Sequence, residues 1–183
     1  MSPKIVNEDR GSVSNYLGRD MLLPAKSWYV FLSLFVALIL NFLPLQGIAL
    51  TLRPDFVAIT ILYWGINQPQ RMGMSLAFFI GLMMDVGNMS ILGQHALAYC
   101  VMVYFALILH RRLRIFSLLQ QAPQIGLMLF VMQIIIVIIE LLSGTHFSGW
   151  HFFLTTVTGA LLWAPISYLL GIPLRLNSDS DVV

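Results

Sequence analysis

Charge is what this chain has least of. Only 10% of its 183 residues are Asp, Glu, Lys or Arg, while 58% are hydrophobic and the mean hydropathy is +0.84. A soluble domain of this length needs a far more polar surface, so the composition points to an integral membrane protein. Cysteine is nearly absent too. The single Cys100 lies in an apolar segment, which excludes an intramolecular disulfide and leaves a small packing residue. Also missing are a G-x-S-x-G serine, an H-E-x-x-H helix, a Walker loop and paired carboxylates within one helical turn. With no nucleophile beside a base, the sequence argues against an enzyme and requires no cofactor. Its one arginine-rich stretch, 110–123, is no nucleic-acid site.

What the chain does have is long apolar runs. A hydrocarbon core of about 30 Å needs roughly 20 helical residues. Candidates lie at 27–45, 50–67, 71–86, 94–110, 124–142 and 150–170, so the expected fold is an all-α integral membrane protein with six transmembrane helices. Residues 27–171 form that domain. Residues 1–26, mixed in charge and rich in Gly, Ser and Asn, and residues 172–183 read as disordered cytosolic tails. The first apolar run lacks a small-x-small cleavage site and reads as an uncleaved anchor. Arg53-Pro54-Asp55 interrupts the second, whose helix is expected to begin near Pro54. Putting both termini in the cytoplasm places nine basic residues inside (Lys4, Arg10, Arg19, Lys26, Arg71, Arg111, Arg112, Arg114 and Arg175) and only Arg53 outside.

Polar residues inside such runs are expensive and mark contacts. Gly73, Ala77, Gly81 and Asp85 recur every fourth residue and share one helix face. Small residues at that spacing let another helix approach closely, within this chain or from a partner. With Gly93, Gln94 and His95, they are expected to build a close-packed junction with a polar end. Asp85 has three expected uses: capping the next segment, accepting from the glycine-rich turn, or pairing with a cation. Matching depths suggest an Arg53–Asp85 contact, with Asp55 competing for Arg53. His95 reads as a helix-end residue or, if further ligands join it, a metal ligand. Gln133 and Glu140 fall seven residues apart on one face with Gly126. Glu140 fits a hydrogen-bonded helix contact or a proton path. Arg111, Arg112 and Arg114, with Leu113, Phe116 and Leu119 at helical spacing, read as an interfacial contact to anionic lipid or as a protein docking segment. Trp28, Tyr29, Trp150 and Trp163 are expected in interfacial belts.

Residues 52–116 carry, in order, the RPD triplet 53–55, Tyr63-Trp64, QPQR at 68–71, GLMMDV at 81–86, LGQHAL at 92–97 and HRRL at 110–113. This run resembles the MreD family of rod shape-determining proteins of the bacterial inner membrane. The resemblance implies a non-enzymatic subunit of the cell-elongation machinery. Such a subunit binds the bitopic protein MreC and helps link MreB filaments to the peptidoglycan polymerase and transpeptidase. It also implies a fold similar to the substrate-binding membrane subunits of energy-coupling-factor transporters. A small-molecule-binding transporter subunit is therefore the alternative, although no Ala-x-x-x-Ala stripe for docking a motor is evident in the first span.

Overall fold

A computed structural model describes residues 27–47, 52–144 and 150–180. Among these residues are six α-helices: α1 Ser27–Asn41, α2 Phe56–Asn67, α3 Met74–Gly87, α4 Gln94–Leu113, α5 Leu118–Leu142 and α6 Leu154–Ser180. A 3-10 turn, Trp150–Phe153, leads into α6, and no strand occurs among the described residues. The tail 1–26, with its four basic residues, lies outside the described residues, as do the side chains of Trp150 and Arg175.

Helix starts follow from caps. Asp55, with extended backbone, accepts from the Ala58 N–H at 2.9 Å and caps α2. The helix therefore begins at Phe56, and Pro54 stands outside it instead of in its first turn. Ser117 and Gln120 form a capping box that starts α5 at Leu118, six residues before the expected boundary. Pro123, just before that expected boundary, sits at an exposed position in the second turn of α5. The expected interfacial segment 110–123 is thus split. Its first residues end α4, its last begin α5, and Leu113 is buried, with its carbonyl accepting from Gln121 Nε2 at 2.9 Å. At the far end α6 continues to Ser180, so 172–180 is helical where a tail was expected.

Three helical stretches, Gln94–Leu113, Leu118–Leu142 and Leu154–Ile172, are long and apolar enough to cross a membrane. The other three have 15, 12 and 14 residues. At about 1.5 Å per residue they rise only about 22, 18 and 21 Å. For α2 the shortfall has a visible reason: every residue from Val57 to Ile66 is buried, so this helix faces protein on all sides. A helix apolar around its whole circumference belongs in an interior. The other five close a ring around it. Asn41 of α1 reaches Met84 of α3, and Gly81 of α3 lies on Ala96 of α4. Gln94 of α4 donates to Glu140 of α5 at 3.1 Å, and Gly126 of α5 faces Ala160 of α6. Tyr29 of α1 closes the circle on the Leu170 carbonyl of α6 at 3.4 Å. Inside, Trp64 is fully buried, packs edge-on against Tyr29 and Tyr63, and donates to Ser33 Oγ at 2.8 Å.

The small-residue stripe belongs to this internal packing. Ala77 and Asp85 are fully buried, and a Cβ on Gly81 would fall within the backbone of Ala96. Gly73, by contrast, is exposed with nothing nearby. Gly81→Ala is therefore expected to force α3 and α4 apart, costing about 1–3 kcal/mol or more as overpacking does. Gly73→Ala, at the open N-cap of α3, should cost less, at most about 1 kcal/mol. Thermal unfolding of both variants in detergent checks this, and equal melting of the two would remove the close approach from the account.

Candidate functional site

Two carboxylates organise one end of the bundle. Asp85, at the end of α3, accepts from the backbone N–H of Gly93 at 2.8 Å and of His95 at 2.9 Å. These N–H groups open α4, whose capping residue Gly93 has φ +97° and carries no side chain to cap with. Glycine adopts that left-handed backbone without penalty. Asp85 thus supplies, from the preceding helix, the cap that α4 lacks, and its negative charge complements the helix N-terminus. Ser90 Oγ donates to it at 3.1 Å, and His95 Nδ1 lies 2.7 Å away. Of the three uses expected for Asp85, capping and accepting from the turn are realised together.

Asp55 does the same for α2. Besides the Ala58 N–H, it accepts from Asn41 Nδ2 at 2.8 Å and from the fully buried Tyr99 hydroxyl at 2.6 Å. Asn41 Oδ1 in turn accepts from the Phe56 N–H at 3.0 Å. Tyr99 stands one turn beyond His95 on α4, and the two rings meet edge to face at 5.9 Å. The two caps are joined through this pair of side chains. Further along, Gln94 donates to Glu140, and Gln133 contacts Thr155, Thr156 and the Phe152 carbonyl. Gln133 and Glu140 thus share a helix face, but Gln133 serves α6 and Glu140 serves α4.

The expected Arg53–Asp85 contact does not form. Arg53 donates to the Leu43 carbonyl at 3.1 Å, and neither Asp85 nor Asp55 pairs with it. The reason is saturation, because both carboxylates are occupied by helix N-termini and buried neighbours. The arginines at the other end, Arg111, Arg112 and Arg114, are exposed and take no part in this cluster. Trp163, expected at an interface, is buried and donates to Gln121 at 3.2 Å.

Between these groups lies a cleft of about 330 Å³. Arg53, Asp55, His95, Gln133 and Glu140 reach it, with Met132 and Ile136 as apolar wall. Asp85 and His95 resemble the orienting half of a catalytic triad, yet the hydroxyl beside them, Ser90, is bound to the carboxylate itself. The pair therefore holds a loop in place. Among the described residues no three His, Cys, Asp or Glu side chains gather as a metal site. Sequence reasoning missed Asn41, Ser90, Tyr99, Thr155 and Thr156. For two of these a signal existed: Asn41 ends an otherwise apolar run, and Tyr99 follows His95 at i+4.

The chain is similar in sequence to known proteins. The model of the family described as rod shape-determining protein MreD matches residues 25–172. A protein named rod shape-determining protein MreD from Haemophilus influenzae is 31% identical over 137 residues, covering 74% of this chain and 85% of that protein. No solved structure matches.

Removing the acceptor of four hydrogen bonds tests the double cap. Asp85→Ala leaves two backbone N–H groups at a buried helix start unsatisfied, at about 1–3 kcal/mol each. It is expected to lower the unfolding midpoint well beyond His95→Ala, which removes only one donor. Equal midpoints for the two variants would mean that the carboxylate does not hold α4.

Proposed function

The chain belongs to the MreD family of rod shape-determining proteins, and on that premise we propose that it is a non-enzymatic membrane subunit of the bacterial cell-elongation complex. In this reading it sits in the inner membrane as six spans with both termini in the cytoplasm. It binds the membrane helix of MreC and helps link MreB filaments to peptidoglycan synthesis. The observation that carries the reading is the family match over residues 25–172, which takes in all but the last residues of α6. The internal chemistry is consistent with it. The polar groups of the cluster are spent on each other and on helix ends, so a partner has the outer surface of the ring to recognise.

Because Ala77 and Gly81 of the stripe pack inward, this reading puts the partner surface elsewhere. The neighbouring helices α1 and α3 expose Phe31, Phe35, Ile39, Phe79 and Met83, a broad apolar face. These helices meet near Asn41 and Phe42, where Gly87 lies against the Phe42 ring. Aromatic and methionine side chains flanking such a seam suit a single partner helix packed by van der Waals contact. In a Cys100→Ser background, cysteines at Phe31, Phe35, Phe79 and Met83 are expected to crosslink to the MreC helix with helical periodicity, while one at Ala77 should not. Crosslinks from Ala77 alone would return the interface to the stripe.

The cleft favours one other reading, a small-molecule-binding membrane subunit of a transporter. Its volume and its mix of Arg53, Asp55 and Glu140 suit a small polar ligand. Mass spectrometry of the denatured, purified protein is expected to find no stoichiometric small molecule. Finding one would put the transporter reading first.

A further inference from the structure

On the opposite half of the molecule a second, wholly different hollow runs between α4 and α5. It holds about 170 Å³ and is lined by Met102, Phe105, Leu109, Leu127, Met128 and Val131, with Gln124 at one end. The lining repeats on both walls: 102, 105 and 109 on α4, and 124, 127, 128 and 131 on α5, each a single helical stripe. Phe105 and Leu127 are exposed, so the groove opens on the surface that faces hydrocarbon.

The α4 stripe continues past the groove. Three residues beyond Leu109 comes Arg112, on the same face and at the end where Gln124 closes the groove. A helical side chain leans toward its own N-terminus, which aims Arg112 back over the groove mouth. Arg112 is exposed and makes no ion pair or hydrogen bond with a described side chain. Arg111, one residue earlier, projects from a face about 100° away, outside the stripe.

We propose that this groove binds one anionic phospholipid of the surrounding membrane, with part of an acyl chain between α4 and α5 and its phosphate on Arg112. Charge complementarity selects the occupant. An apolar slot with an unpaired arginine one helical turn beyond its lining matches a molecule with a long apolar tail and a negative head, and Arg meets phosphate as a two-pronged donor. The slot is too small for a protein helix, whose diameter is about 10 Å with side chains. The proposal sharpens the expected lipid contact of Arg111, Arg112 and Arg114 to one arginine and one groove. It does not depend on the cell-elongation role.

The test is native mass spectrometry of the delipidated full chain, titrated with phosphatidylglycerol or with phosphatidylcholine of the same acyl chains. Arg112→Gln is expected to weaken phosphatidylglycerol binding about five-fold, the effect of about 1 kcal/mol for one basic group near an anionic lipid. Phosphatidylcholine binding should not change. Val131→Trp, which fills the groove from a partly exposed position, should weaken both lipids. Arg111→Gln should bind as wild type, and Arg112→Lys should keep most of the preference, separating lost charge from misfolding. Two outcomes overturn the proposal. One is equal weakening by Arg111→Gln and Arg112→Gln with no effect of Val131→Trp, which indicates diffuse surface attraction. The other is unchanged binding of both lipids in Val131→Trp, which places the bound lipid outside the groove.

Discussion

A backbone N–H inside a bilayer must find its acceptor within the protein, and this constraint shapes the polar end of the bundle. Helices α2 and α4 both begin beside buried neighbours. Each receives a carboxylate. Asp55 caps its own helix, whereas Asp85 reaches from the end of α3 across a short turn to cap α4. Because that second cap is supplied by another helix, it also fixes the α3–α4 turn and the close approach at Gly81. Asn41, Ser90, His95 and Tyr99 then follow as the groups that fill the remaining acceptor positions of the two carboxylates.

Charges committed in this way are poor material for catalysis but good material for rigidity. An unpaired buried carboxylate is far costlier than one met by two or three donors, so a fully satisfied network specifies a single arrangement of helices. That arrangement keeps α2 at the centre, where its twelve residues need not match the bilayer thickness. A cleft of about 330 Å³ lies beside the network, with Arg53, held by the Leu43 carbonyl, on its wall.

The sequence revealed the architecture more readily than the contacts. Apolar runs located all six helices, since a run of that length has no other stable use. Their ends were displaced where a capped polar turn precedes the apolar run, as at Ser117, because hydropathy does not register polar residues that are already helical. The polar cluster was half visible. Asp85, Gln94 and His95 stood out against an oily background, and their role as a junction could be argued from spacing. The partners of Asp85 could not, because depth matching finds groups at one level without saying which is nearer or already occupied. The Arg53–Asp85 pairing failed for that reason. Asn41 and Tyr99 escaped notice because each looks ordinary alone, and only the fold brings them to the same carboxylate.

What remains outside the bundle limits how this protein can be recognised. With the carboxylates turned inward, the described surface offers large apolar side chains along α1, α3, α4 and α6, and guanidinium groups at the end of α4. Lipid tails compete on equal terms with any apolar helix, so burial alone cannot choose a partner there. Shape must discriminate, through seams such as that between α1 and α3, and charge must discriminate at the membrane boundary. Division of the surface follows from this. A seam flanked by aromatic rings suits a helix that stays, and a narrow slot beneath an arginine suits a lipid that exchanges.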